Sequence, residues 1–101
     1  MTYTILEDDG TLVVRMQGRL DRQGTPDVET ALEGKLDDVT DLTLDLRGVN
    51  FVSSWGLRFL LALQKRMYKQ GSMQIINVCD EVMELLDETG FSQIMTVVPA
   101  E

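Results

Sequence analysis

Apolar and polar residues alternate from Leu42 to Leu46, in the order Leu-Thr-Leu-Asp-Leu. That two-residue period predicts a half-buried strand. Arg47 to Val52 carries Gly48 and Asn50, both turn residues, and reads as a short loop. Beyond Ser53, Ser54 and Gly56 the period changes, and Leu57, Leu60 and Leu61 share one side of a helix. Lys69-Gln70-Gly71 closes that helix with a cation and then a glycine. Met73 to Val78 predicts another strand. Strand, helix and strand within about forty residues make a βαβ unit, with parallel strands and a right-handed crossover.

The flanking segments follow the same logic. Tyr3 to Leu6 predicts a first strand, and Asp9-Gly10 within the turn Glu7 to Gly10 suits a tight hairpin. Thr11 to Gln17 predicts a second strand, with Leu12, Val14 and Met16 inward and Val13 and Arg15 outward. Gly18-Arg19-Leu20-Asp21 then leaves it as a loop. Thr25-Pro26 predicts a helix start, with a capping hydroxyl before a proline at the first helical position. Asp27 and Glu29 put negative charge where the helix dipole favours it. Val28, Leu32 and Leu36 form one apolar face, with Ala31 beside them. Gly34 costs about 1 kcal/mol relative to alanine and implies a short or frayed helix.

Near the C-terminus, Asp80 is expected to cap a third helix, with Glu81 in its first turn and Val82, Leu85 and Leu86 inward. Thr89-Gly90-Phe91 ends it through a left-handed glycine, with Phe91 folding back over the last turn. Ser92 to Ile94 is a connection or one helical turn, and Met95 to Val98 is a weak last strand. The order β-β-α-β-α-β-α-β predicts an α/β fold, a mixed β-sheet with helices mainly on one face.

Composition narrows the function. A chain of 101 residues predicts a single domain spanning residues 1–101, with a modest core. A formal net charge of −8 argues against nucleic acid and anionic membrane as partners. Four of the nine basic residues, Arg58, Lys65, Arg66 and Lys69, lie on the central helix and read as a solvated face. Cys79 is the one cysteine, so no intrachain disulfide forms, and it reads as a small core residue. The chain has no histidine, which excludes His-based acid–base catalysis and His metal ligation. It shows no nucleophile–base pair, metal-ligand cluster or Walker-type loop, so no catalytic residue, metal or cofactor is expected. There is no export signal and no apolar run near eighteen residues long, so a soluble, cytoplasmic protein without membrane insertion is expected.

Ser53 and Ser54 are the candidate functional residues. They fall where strand gives way to helix, beside free backbone N–H groups and the positive end of the dipole. A hydroxyl there can cap the helix, and it can carry or neighbour a phosphate.

The chain resembles the STAS domain of bacterial anti-sigma-factor antagonists over nearly its whole length. Leu44-Asp45-Leu46-Arg47-Gly48-Val49 resembles the family's strand end, and Phe51-Val52-Ser53-Ser54-Trp55-Gly56-Leu57 its Asp-Ser-Ser/Thr/Ala-Gly-Leu signature. Lys69-Gln70-Gly71, Leu85 to Phe91 and Gly18-Arg19-Leu20-Asp21 match further family segments in order. The resemblance implies phosphorylation at Ser54, with Ser53 as second choice, by an anti-sigma factor that is also a serine kinase. It further implies that the unmodified protein binds that factor, that the phosphorylated form binds poorly, and that a phosphatase restores it.

Two positions depart from the signature: Ser53 replaces its aspartate, and Trp55 replaces a small residue. The expected partner surface comprises Asp21, Ser53, Ser54, Trp55, Gly56 and Arg58. Trp55 is either an interface anchor or packing over the helix start, and Phe59 is either a core contact or an exposed anchor. Asp21 also fits a plain turn or cap residue, and Arg58 a solvated charge. A non-phosphorylated STAS module in a sensory assembly, or clamped to a lipid-transporter ATPase, is the alternative reading. The oligomeric state is left open.

Overall fold

The computed structural model describes residues 1–101. In chain order the elements are β1 (Thr2–Asp8), β2 (Thr11–Leu20), α1 (Thr25–Leu32), β3 (Asp41–Val52) and α2 (Ser54–Gln70). Then come β4 (Ser72–Val78), α3 (Asp80–Glu88), α4 (Phe91–Ile94) and β5 (Thr96–Pro99). The strands form one sheet in the order β1-β2-β3-β4-β5. β1 and β2 are antiparallel, and every later pair is parallel, as the βαβ pattern requires. The hairpin turn has positive φ at Asp9 (43°) and Gly10 (87°), which an Asp-Gly pair supplies at low strain.

The register explains the core. Leu12, Leu42 and Met73 are aligned across three strands, and Val14, Leu44 and Ile75 form the next row. All six are buried and share one core cluster with Val28 and Leu32 of α1, Phe59, Leu60, Leu63 and Met67 of α2, and Val82 and Leu86 of α3. The opposite face carries polar ties. Gln74 Nε2 donates to Thr43 Oγ1 at 3.1 Å, and Asn77 Nδ2 donates to Asp45 Oδ1 at 3.0 Å. The helices therefore cover one face of the sheet, because only that face is continuously apolar.

Four expectations need correction. Arg47–Val52 is not a loop but the second half of β3, and Gly18–Leu20 extends β2. From the Thr11–Asp41 pair to the Leu20–Val52 pair, β3 uses twelve residues against ten on β2, through two register shifts. The turn residues mark bulges in a ladder that continues to Leu20 opposite Val52. Thr25 does not cap α1; Gly24 holds that position, and the Thr25 side chain is buried with Oγ1 unpartnered. Asp80 does not cap α3 either, since the N-cap is Cys79, without a side-chain hydrogen bond. Two open points close: Phe59 is buried in the core, and Ser92–Ile94 belongs to a helical turn beginning at Phe91. Gly90 takes the left-handed conformation expected of it, with φ 81°.

Candidate functional site

The extended β2–β3 ladder delivers two loops to the same place. It ends at Leu20 and Val52, so the next residue of each strand, Asp21 and Ser53, begins a loop beside the other. The Leu20 carbonyl joins them: it accepts from Ser53 N at 2.9 Å and from Ser53 Oγ at 3.4 Å. Ser53 is also the N-cap of α2. Its backbone is extended (φ −92°, ψ −178°), and its Oγ accepts from Trp55 N at 3.2 Å. The Ser53 hydroxyl is thus engaged on both sides and partly buried.

Ser54 differs. It is the first helical residue, it is exposed, and none of the chain's hydrogen bonds uses its hydroxyl. Its carbonyl accepts from Arg58 Nε at 3.4 Å, which holds the Arg58 side chain over the helix start. Gly56, one turn in, is buried because the Leu20 segment crosses directly above it.

Asp21 organises the facing loop. Its Oδ1 accepts from Gly24 N at 2.8 Å and Gln23 N at 3.1 Å, an Asx-type turn. Its Oδ2 meets Arg19 Nε at 3.3 Å. The Gly24 amide above all, helped by the Gln23 amide and Arg19, outweighs the opposing effect of burial and holds the Asp21 carboxyl below its ordinary value.

Aromatic and cationic side chains rim the site. Trp55 is 43% exposed, with the Arg58 guanidinium 4.6 Å and the Arg22 guanidinium 5.7 Å from its ring centre. Phe51 is 39% exposed under Arg19, at 4.0 Å.

A family model described as the STAS domain matches residues 2–101. The chain belongs to the STAS domain family. It is 30% identical over 95 residues to the anti-sigma F factor antagonist of Paenibacillus polymyxa, covering 91% of this chain and 81% of that one. It is 28% identical over 99 residues to BtrV of Bordetella bronchiseptica, described as a candidate anti-sigma factor antagonist, covering 96% and 85%. In structure it is similar to an anti-sigma factor antagonist from Mycobacterium paratuberculosis, with a TM-score of 0.86, 25% identity, and coverage of 97% and 85%. SpoIIAA of Bacillus in its phosphorylated form shares the fold, with a TM-score of 0.74, 16% identity, and coverage of 95% and 90%.

In this STAS domain the six expected surface residues, Asp21, Ser53, Ser54, Trp55, Gly56 and Arg58, do come together. Gly56 contributes space rather than a surface contact, being buried. No group of three or more His, Cys, Asp or Glu residues is arranged to hold a metal. No helix is long and apolar enough to cross a membrane. Arg19, Arg22 and Phe51 join the site beyond the six expected residues. The available signal was an arginine on each side of Leu20-Asp21, facing aromatics spaced four apart at Phe51 and Trp55.

The Asp21 geometry fixes a pH response. A carboxyl lowered in the folded state contributes stability above its unfolded pKa, and that contribution is lost as pH falls through the folded value. Asp21→Asn keeps an oxygen acceptor for Gly24 N but removes the charge. Urea midpoints of wild type and Asp21→Asn should differ at pH 7 and converge as pH drops below about 4. A gap that stays constant with pH would place the effect in shape rather than charge.

Proposed function

We propose that this chain is an anti-sigma factor antagonist that docks its partner with the Asp21 and Ser53–Arg58 loops and is switched by phosphorylation of Ser54. The observation that carries the reading is the division of labour between the two serines. Ser53 is spent on capping and on tying the loops together. Ser54 presents a free hydroxyl at the positive end of a seventeen-residue helix, in a chain of the STAS family.

Such an antagonist acts by binding, not catalysis, in the cytoplasm. Its partner is an anti-sigma factor with serine kinase activity, and a phosphatase reverses the modification. The names of the relatives from Paenibacillus and Bordetella support the first part of this reading. The phosphorylated form of SpoIIAA supports the second.

The test is co-expression with the serine-kinase anti-sigma factor of the source genome, read by intact mass. Wild type should gain one phosphate and Ser54→Ala none, while Ser53→Ala still accepts it. Unmodified wild type, or phosphate retained in Ser54→Ala, rejects Ser54 as the switch.

A further inference from the structure

We infer that the guanidinium groups of Arg22 and Arg58, held beside Trp55, receive an acidic segment of the docking partner. The inference rests on the docking reading above and names the chemistry of what docks. Acidic residues outnumber basic ones by 17 to 9, and four of the nine basic side chains form an ion pair. Arg15, Arg19, Lys35 and Arg66 do so, with Asp45, Asp21, Glu7 and Asp37. Arg22, Arg47, Arg58, Lys65 and Lys69 do not, and of these five only Arg22 and Arg58 lie by an aromatic ring, that of Trp55.

A ring face attracts a guanidinium without neutralising it. The stem is held in place while the N–H fork stays available for bidentate bonds to a carboxylate. The two arginines come from different elements, the β2–α1 loop and α2, and they converge on one half-exposed indole. An arginine pair around a half-exposed tryptophan has the make-up of an interface hot spot, which is enriched in both residue types.

The rest of the molecule sharpens the choice of occupant. With a net charge of −8, the long-range field repels an acidic partner. At an ionic strength of about 0.15 M the Debye length is about 8 Å, so distant carboxylates are screened while adjacent arginines act fully. Attraction at this rim therefore comes from two adjacent arginines at close range, a local arrangement that favours specificity.

Trp55 is the one tryptophan, so its emission reports the site directly. The experiment titrates the full chain with acetylated hexaglutamate at about 0.15 M ionic strength, with hexalysine as the opposite charge. Expected is a saturable change in Trp55 emission with hexaglutamate and none with hexalysine. The double variant Arg22→Gln, Arg58→Gln should weaken the hexaglutamate response by about tenfold with an unchanged circular-dichroism spectrum. No saturable change with hexaglutamate, an equal response to hexalysine, or an undiminished response in the double variant overturns the inference. Should hexaglutamate fail while an anti-sigma factor still binds, this inference falls and the docking reading stands.

Discussion

Gly56→Ala should lower the melting temperature by roughly 10 °C and weaken partner binding beyond what that loss of stability explains. A β-carbon at this position would lie 2.5 Å from the Leu20 carbonyl oxygen, 2.8 Å from Val52 Cγ1 and 2.9 Å from Leu20 Cβ. The nearest atom is backbone, tied to Ser53 through two hydrogen bonds, so it cannot rotate away. Relief requires the Leu20–Asp21 segment to rise off the helix. Overpacking of this kind costs about 1–3 kcal/mol, and each strained hydrogen bond adds about 1 kcal/mol. Alanine returns roughly 1 kcal/mol of helix propensity, leaving a net loss of about 2 kcal/mol. Gly34→Ala is the control. Nothing lies within 4 Å of its β-carbon, and its only strain is the left-handed φ of 76°, about 1 kcal/mol, far from the site. Thermal melts and partner titrations on both variants separate the effects. Equal binding losses in the two would show that Gly56 acts through general stability alone.

The same joint shows how far residue patterns reach. The hairpin, the inward row of β2, the alternation of β3 and the start and stop of α2 were all legible, because each follows from a local period or a named cap. The second half of β3 was not. Gly48 and Asn50 carry a turn signature, and only the β2 partner reveals that they absorb register shifts inside a ladder. Bulging is a relation between two strands, and one-dimensional pattern cannot display it. Thr25 and Asp80 misled for a related reason. Each has the right side chain one residue too late, at the first helical position rather than the cap. At the site, the serines and Asp21 were legible through the family signature. The convergence of Arg22 and Arg58 on Trp55 was not, since it depends on how closely two loops approach.

The departures from that signature also gain a physical meaning. Ser53 stands where the family has aspartate, and it occupies the N-cap of α2. Serine and aspartate are nearly equivalent caps, so the helix start survives the exchange, while the carboxylate charge gives way to a hydroxyl that donates to the Leu20 carbonyl. Trp55 is half-exposed rather than buried packing, and two arginines rest against its ring.

Ser54→Asp should leave the fold intact and reduce affinity for the anti-sigma factor by at least about tenfold, some 1.4 kcal/mol. For the isolated chain the added charge is welcome. It sits at the positive end of α2 and beside Arg58, where a carboxylate gains roughly 0.3–1 kcal/mol. For the complex the same charge is a liability, because a partner seated on Ser54 must strip its water. If the partner presents carboxylates to Arg22 and Arg58, the new anion also competes for those groups. A phosphate, with nearly two charges, should exceed aspartate in both respects. Ser54→Ala removes the hydroxyl without adding charge and should bind as wild type does. Ser53→Asp keeps a cap but sets a carboxylate against the Leu20 carbonyl, so it perturbs the joint rather than the switch. Calorimetric titration of the four proteins decides the matter, with circular dichroism as the check on folding. Undiminished affinity in Ser54→Asp would remove charge at this corner as the means of release.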